Sequence, residues 1–320
     1  MYSKYALSSA RTTNSTNNML PKFPNFRKIT LADKNLIEKK LTGFEFYSDF
    51  VFSNVWTWDL HNNVEITTLH DNLVIKFVEY ADDYEFLSFI GANSLDSTAR
   101  ELIEYSNQKY GVNFLNYIPH EIASKLDKTI FQITEDRDGF DYIYSPEEIS
   151  EYLGAKYKTK RTLYRKFVSH YPDCHIREID MTDEYTQTLA RKIFKNHQKR
   201  KRGSEKDFHI EYEAQAFERT IQIIDRLPVI CFGLFINNQM IGFSVDEFVH
   251  NNYVLSHFIK VNQPTNGAYE FFNNRIARIL HKSGVTEWNW VEDLGIKNLK
   301  RSKLSYRPSK ILEQYKITCI

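Results

Sequence analysis

The stretch VICFGLFI-NNQ-MIGFSVDEFV, residues 229–249, carries the strongest statement about fold. Two runs rich in β-branched and aromatic residues flank Asn237-Asn238-Gln239, a pattern that predicts a hairpin of strands 229–236 and 240–249. Downstream, 253–261 reads as a third strand. A loop at 262–267 then leads into a helix at 268–282, which Ser283-Gly284 ends, and residues 285–290 read as the next strand. Upstream, 211–226 is helical, with Ala214, Phe217, Ile221 and Ile224 on one side and Pro228 just beyond.

The first half shows the same order. Residues 31–41, after Thr30 as a cap, and 48–59, with Trp56 and Trp58, read as helical or turn segments. Residues 64–69 and 73–79 flank the turn His70-Asp71-Asn72 and predict a hairpin; 84–90 is a further strand. A helix at 97–109 ends at Gly111, and 112–118 is the strand after it. Hairpin, strand, loop, helix, strand is the order of the central part of the acetyltransferase-like (GNAT-type) fold. The expectation is an α/β chain with mixed α+β sheets: a tail over 1–22, one GNAT-like domain over 23–145, and a second over 146–320 that holds the active site. In such a fold, the loop before the helix at 268 offers free N–H groups to a phosphate, so Gly267 and Ala268 are the candidate cofactor-binding positions for a coenzyme A donor.

Composition narrows the function. The chain has 320 residues and a formal charge of +1, so it is no basic nucleic-acid coat. Between residues 156 and 206, however, fifteen Lys or Arg stand against six Asp or Glu, which predicts a local anion site. Cys174, Cys231 and Cys319 are isolated, so no zinc site or disulfide framework is suggested and a reducing, cytoplasmic setting fits. No apolar run approaches the roughly 18 residues of a membrane helix. The run Lys199-Arg200-Lys201-Arg202-Gly203-Ser204 reads as an exposed loop able to meet an RNA or an anionic membrane surface, or simply solvent.

Two further stretches are more informative. The first is Asp136-Arg137-Asp138-Gly139-Phe140-Asp141-Tyr142-Ile143-Tyr144-Ser145, continuing to Leu153-Gly154-Ala155-Lys156-Tyr157-Lys158-Thr159-Lys160-Arg161. The second is Glu292-Asp293-Leu294-Gly295, followed by Arg301, Lys303, Tyr306 and Pro308. Smaller echoes are Ser48-Asp49 and Gly267-Ala268-Tyr269. From about Phe23 onward the chain resembles bacterial proteins related to the C-terminal catalytic domain of phosphatidylglycerol lysyltransferases. The resemblance implies a tandem GNAT-like fold and movement of an aminoacyl group from aminoacyl-tRNA to a lipid hydroxyl. The family pattern Asn-Arg-Glu is here Asn289, Trp290, Val291, and its Lys-Arg-Asn is Lys160, Arg161, Thr162.

Acyl transfer from an ester requires deprotonation of the acceptor, stabilisation of an oxyanion, and alignment of both substrates. Glu292 and Asp293 follow the strand at 285–290; either can handle the acceptor proton, or cap the turn Leu294-Gly295 or pair with Arg301. Tyr306 can donate to an oxyanion or fill core near Pro308. Lys160 and Arg161 form one basic cluster and Arg301 and Lys303 another, suited to donor phosphates or to a solvated face. Asn289 completes the motif, and His257 faces the same side of its strand as Leu255 and Ile259, as a pocket wall or a base. No metal-ligand spacing is present. The reading is therefore an acyl- or aminoacyltransferase acting on a lipid or small-molecule acceptor, with aminoacyl-tRNA or acyl-CoA as donor and tRNA or a membrane surface as partner. The alternatives are a non-catalytic ligand-binding module and a coenzyme A-dependent N-acetyltransferase.

Overall fold

The computed structural model describes residues 19–79, 84–201, 208–262 and 266–320. Much of the expected tail, 202–204 of the basic run and 263–265 of the loop before residue 268 lie outside these residues. At the near end of the tail, Thr68 donates its N–H to Pro21 (2.9 Å) and Lys22 bridges Thr68, so the chain is already paired before residue 23.

The elements run β1 (Arg27–Lys28), α1 (Lys34–Lys40), α2 (Phe52–Trp58), β2 (Glu65–Leu69), β3 (Asn72–Val78), β4 (Glu85–Ile90), α3 (Leu95–Tyr110), β5 (Phe114–Pro119), α4 (His120–Ala123) and β6 (Phe131–Glu135). Then come β7 (Asp141–Tyr144), α5 (Pro146–Glu151), α6 (Lys158–His170), β8 (His175–Glu178), α7 (Glu184–Lys201), α8 (Phe208–Ile223), β9 (Val229–Ile236), β10 (Gln239–His250) and β11 (Tyr253–Val261). The chain closes with α9 (Ala268–Lys282), β12 (Glu287–Asn289), α10 (Lys297–Ser305), β13 (Lys310–Leu312) and β14 (Gln314–Cys319). No helix among the described residues is long and apolar enough to cross a membrane.

Two mixed sheets share one wiring. The first is ordered β1-β2-β3-β4-β5-β14-β6 and the second, read from the matching end, β8-β9-β10-β11-β12-β7-β13. In each, an antiparallel meander ends on a parallel pair, β4 with β5 and β11 with β12, whose crossover is the helix α3 or α9. The slot beyond each parallel pair holds a strand from the other half of the sequence: β14 lies between β5 and β6, and β7 between β12 and β13. A division at 145/146 is therefore corrected. Among the described residues, one compact unit comprises 142–291 and 296–311; the other takes 19–141 together with 292–295 and 312–320.

Both parallel pairings are short. β4 meets β5 at Leu87 and Leu115, and β11 meets β12 only from Tyr253–Glu287 to Leu255–Asn289. On one face of the second sheet, α5 and α6 pack on α9 over a core that includes Phe232, Val254, Phe272 and Trp288. On the other face, Phe194 of α7 and Phe217 of α8 meet Phe258, and Phe217 also meets Phe243.

Ile317 of β14 is fully buried and stands opposite Leu115 and Ile133. Ile317→Ala should cost about 2–5 kcal/mol in denaturant-induced unfolding. A loss well below about 1 kcal/mol would mean that β14 does not close the core of the first sheet.

Candidate active site

At the centre of β10 two acids stand side by side. Ser244 and Asp246 point to the α9 face; Phe243, Val245 and Glu247 point to the α7–α8 face. The partner strand carries a bulge at this level: Val245 pairs with Phe258 but Asp246 pairs with Ser256, so His257 is the extra residue. The bulge turns His257 and Phe258 to the same face. His257 thus shares a side with Leu255, as expected, but not with Ile259, which packs into the α9-side core.

The result is a buried acid–base pair. His257 Nε2 lies 2.8 Å from Glu247 Oε2, with the two side chains only 1% and 3% exposed. Three residues along β11, the Lys260 ammonium donates to Glu213 of α8 and sits 5.3 Å from the Phe194 ring centre. Both pairs occupy the face over which β11 runs on after β12 has ended. A neutral imidazole held by a carboxylate can accept a proton from a hydroxyl, and the carboxylate then stabilises the imidazolium.

On the opposite face Asp246 is fully buried. It accepts hydrogen bonds from Ser244 Oγ (2.7 Å), Ser256 Oγ and Trp288 Nε1 (3.1 Å). Burial pushes its carboxyl up to about 6 against the pull of these donors.

The first turn of α9 carries another buried pair. Lys160 Nζ lies 3.2 Å from Glu270 Oε1 and 3.4 Å from the Tyr306 ring centre. Burial lowers the Lys160 pKa, with Glu270 opposing the shift, and burial raises Tyr306 far above the ordinary phenol range, so its hydroxyl stays protonated. Tyr306 Oη, Trp290 Nε1 and Asn273 Oδ1 are buried without a well-formed hydrogen bond among the described residues.

Gly267 caps α9 and Ala268 is its first residue. A Cβ added at Gly267 would stand 2.1 Å from Leu163 O of α6, so the cap packs directly on that helix.

Three of the remaining sequence candidates, Arg161, Asn289 and Lys303, hold backbone. Arg161 Nη1 donates to Gly154 O (2.7 Å) and to Tyr152 O, sealing the end of α5. Lys303 Nζ donates to Trp290 O and Val291 O (3.0 Å), and Asn289 Oδ1 accepts from Val291 N (2.6 Å). These bonds fix Val291 at φ 53°, a left-handed conformation that is costly for a β-branched residue. Arg301 is exposed on α10.

Glu292 and Asp293 belong to the first-sheet unit, not to the one with His257. Asp293 is fully buried, accepts from Gly295 N (2.9 Å), and lies 3.5 Å from Arg137 Nη1. In the same unit, Asp141 accepts from Ser48 N and Ser48 Oγ (both 2.7 Å), and Gln314 Nε2 donates to Asp49 (2.7 Å). Burial, with Glu292 and Asp141 close by, holds the Asp49 carboxyl well above the usual carboxylate range. The quoted motifs Ser48-Asp49, Asp136 to Asp141, and Glu292 to Gly295 thus converge. Sequence reading missed Glu247, Glu213, Glu270 and Gln314. The one available signal was the adjacent pair Asp246-Glu247 inside an apolar strand.

The family described as phosphatidylglycerol lysyltransferase, C-terminal, matches residues 43–318. A conserved protein of unknown function from Bacteroides thetaiotaomicron is 25% identical, with 94% of this chain and 100% of that one covered at a TM-score of 0.78. The C-terminal domain of a putative lysylphosphatidylglycerol synthetase from Agrobacterium fabrum is 10% identical (89% and 92% covered, TM-score 0.60). L-PGS from Bacillus licheniformis is 12% identical (89% and 91% covered, TM-score 0.56). These last two likenesses speak for the tandem GNAT-like acyltransferase fold. No curated protein matches the chain.

The Asp246 carboxyl gives a pH test. The unfolded chain releases this proton near pH 3.9, and the native protein near 6. A raised acid contributes stability that is complete below the unfolded value and lost as pH rises through the folded one. From pH 4 to 7 the wild-type protein should therefore lose about 2 kcal/mol relative to Asp246→Asn in urea unfolding. A difference that does not change with pH would show that the buried carboxyl keeps its charge throughout.

Proposed function

Because the chain belongs to the family of phosphatidylglycerol lysyltransferase C-terminal domains, we propose that it transfers an aminoacyl group from aminoacyl-tRNA to a hydroxyl of a lipid. The aminoacyltransferase class follows from the family; the donor and acceptor are our reading. The observation that carries the mechanism is the buried Glu247–His257 pair at the bulge of β11, beside the short parallel pairing of β11 with β12.

His257 takes the proton of the acceptor hydroxyl as its oxygen attacks the ester carbonyl. Glu247 fixes the imidazole tautomer and stabilises the cation that forms. The tetrahedral intermediate collapses by breaking the bond to the tRNA ribose oxygen, which recovers the proton from His257. One ester bond forms as one breaks, so the step is nearly balanced in energy and the protein mainly supplies alignment. Lys260, on the same face, offers positive charge to an oxyanion or a donor phosphate once its bond to Glu213 loosens. The reaction would run in the cytoplasm, where charged tRNA is made.

Transfer of a labelled aminoacyl group from charged tRNA to phosphatidylglycerol tests this. His257→Ala should lower kcat by about 100-fold or more and Glu247→Gln by about tenfold, with KM for the charged tRNA little changed. Full activity in His257→Ala would remove it as the base. Loss in Glu292→Gln instead would hand the role to Glu292, the acceptor-handling residue expected from sequence.

A further inference from the structure

We infer that the surface formed by residues 153–161 and the last turn of α10 docks on an anionic lipid bilayer, with Leu153 and Leu304 entering the headgroup layer. This deepens the reading of a lipid acceptor by naming how the protein would reach it.

Leu153 is 68% exposed and Leu304 42%, and among the described residues they are the two leucines that stand exposed. Leu153 is displayed by a braced turn, not left on a loose one. Tyr152 (φ 48°) and Gly154 (φ 77°) are both left-handed, and Arg161 donates to the carbonyls of each, on either side of the leucine. The same geometry caps α5, with Tyr152 N bonded to Glu148 O, so the turn that displays Leu153 is fixed by the helix end.

The two leucines belong to one surface. Tyr157 Oη donates to Tyr306 O (3.1 Å), joining the start of α6 to the end of α10. Arg307 N in turn bonds Leu304 O (3.1 Å). Both segments lack acids: residues 153–166 and 297–307 contain no Asp or Glu. Lys158, Arg165, Arg301 and Arg307 are exposed on them. Lys156 is partly engaged by Glu148 of α5 (2.7 Å), the main opposing charge.

Cations around exposed leucines match an anionic bilayer, because each charge near the surface adds attraction of about 1 kcal/mol and the apolar tips bury in the interface. A nucleic acid would use the charges but has no use for two aliphatic tips, and an RNA surface would offer aromatic rings for stacking.

Flotation of the full chain with vesicles of phosphatidylcholine, alone or mixed with phosphatidylglycerol, tests the inference. The wild-type protein should float with the mixed vesicles and release in high salt. Leu153→Asp with Leu304→Asp should weaken this binding about tenfold or more while thermal unfolding stays cooperative. Lys158→Glu with Arg307→Glu should do the same. Absence of wild-type binding, or unchanged binding by a folded Leu153→Asp/Leu304→Asp variant, overturns the proposal. So does a result in which only charge variants act, and they lower tRNA binding instead, since that marks an RNA surface. The leucine variants should still transfer to a short-chain, water-soluble phosphatidylglycerol. If the wild-type protein floats yet transfers to no acceptor, docking stands and the transferase reading falls.

Discussion

Each sheet is closed by a strand that the other half of the chain supplies, and most of the rest follows from that. β7 and β14 occupy the same slot in two sheets of one wiring, next to the second strand of the parallel pair. A central strand is bonded on both edges, so neither slot can be left empty without exposing two ladders of backbone groups. The chain must therefore leave and re-enter each unit. It passes between the units at 141/142, 291/292, 295/296 and 311/312, and the stretch Asn289 to Gly295, which reaches the middle two passages, is constrained in sequence accordingly. Val291, Leu294 and Gly295 all take positive φ. Asn289 and Lys303 brace the first of these, and Asp293 receives the N–H of the last. A Cβ at Gly295 would stand 2.3 Å from an Asp138 carboxylate oxygen, so glycine is required twice over, by its dihedral and by its neighbour. Residues that look like substrate ligands in the sequence are here the fasteners of a crossing.

The bulge in β11 is the second device. A strand without it would place His257 and Ile259 on one face and leave Glu247 without a basic partner. One extra residue shifts the alternation, so that Ser256 reaches Asp246 on one side while His257 reaches Glu247 on the other. Two adjacent acids are thereby satisfied on opposite faces of one strand. Burying either alone would cost several kcal/mol, and removing one partner of such a pair leaves that cost exposed. This makes the pair either a structural necessity or a tuned acid–base couple. Its position beside the short parallel pairing, where a GNAT-like sheet opens, favours the second.

The elements with long periodic patterns were legible. β9, β11 and α9 fall on the residues that the sequence indicated, and the helix ending at Gly111 closes on that glycine in the left-handed region, with φ 70°. The exchange was not legible, because β7 and β14 are four and six residues long and nothing local tells a short strand which sheet it joins. Nor was the bulge, since a period of two has no way to mark one extra residue. Of the candidate site, His257, Lys160 and Tyr306 were visible by type, whereas their partners Glu247 and Glu270 come from other elements and become neighbours only on folding. Arg161 misled for a different reason: a guanidinium that seals a helix end is indistinguishable in sequence from one that awaits a phosphate.

The two departures from the family pattern bear on where chemistry resides. Where the pattern carries Arg and Glu, this chain has Trp290 and Val291. The indole packs 4.1 Å from the Tyr144 ring centre and 4.9 Å from those of Trp288 and Tyr306. Aromatic packing has thus replaced a charged pair on the α9 face, and the charge that remains there, Lys160, is already engaged by Glu270 and the Tyr306 ring. An ammonium held by a carboxylate and a ring in a low-dielectric interior is poorly placed to serve a reacting group, because freeing it would strand the carboxylate. The α7–α8 face keeps a histidine–carboxylate pair whose proton can move without separating charge from charge, since transfer to His257 creates the cation that Glu247 is positioned to hold. On the proposed transferase reading, this asymmetry assigns the proton transfer to the bulge and not to the altered motif.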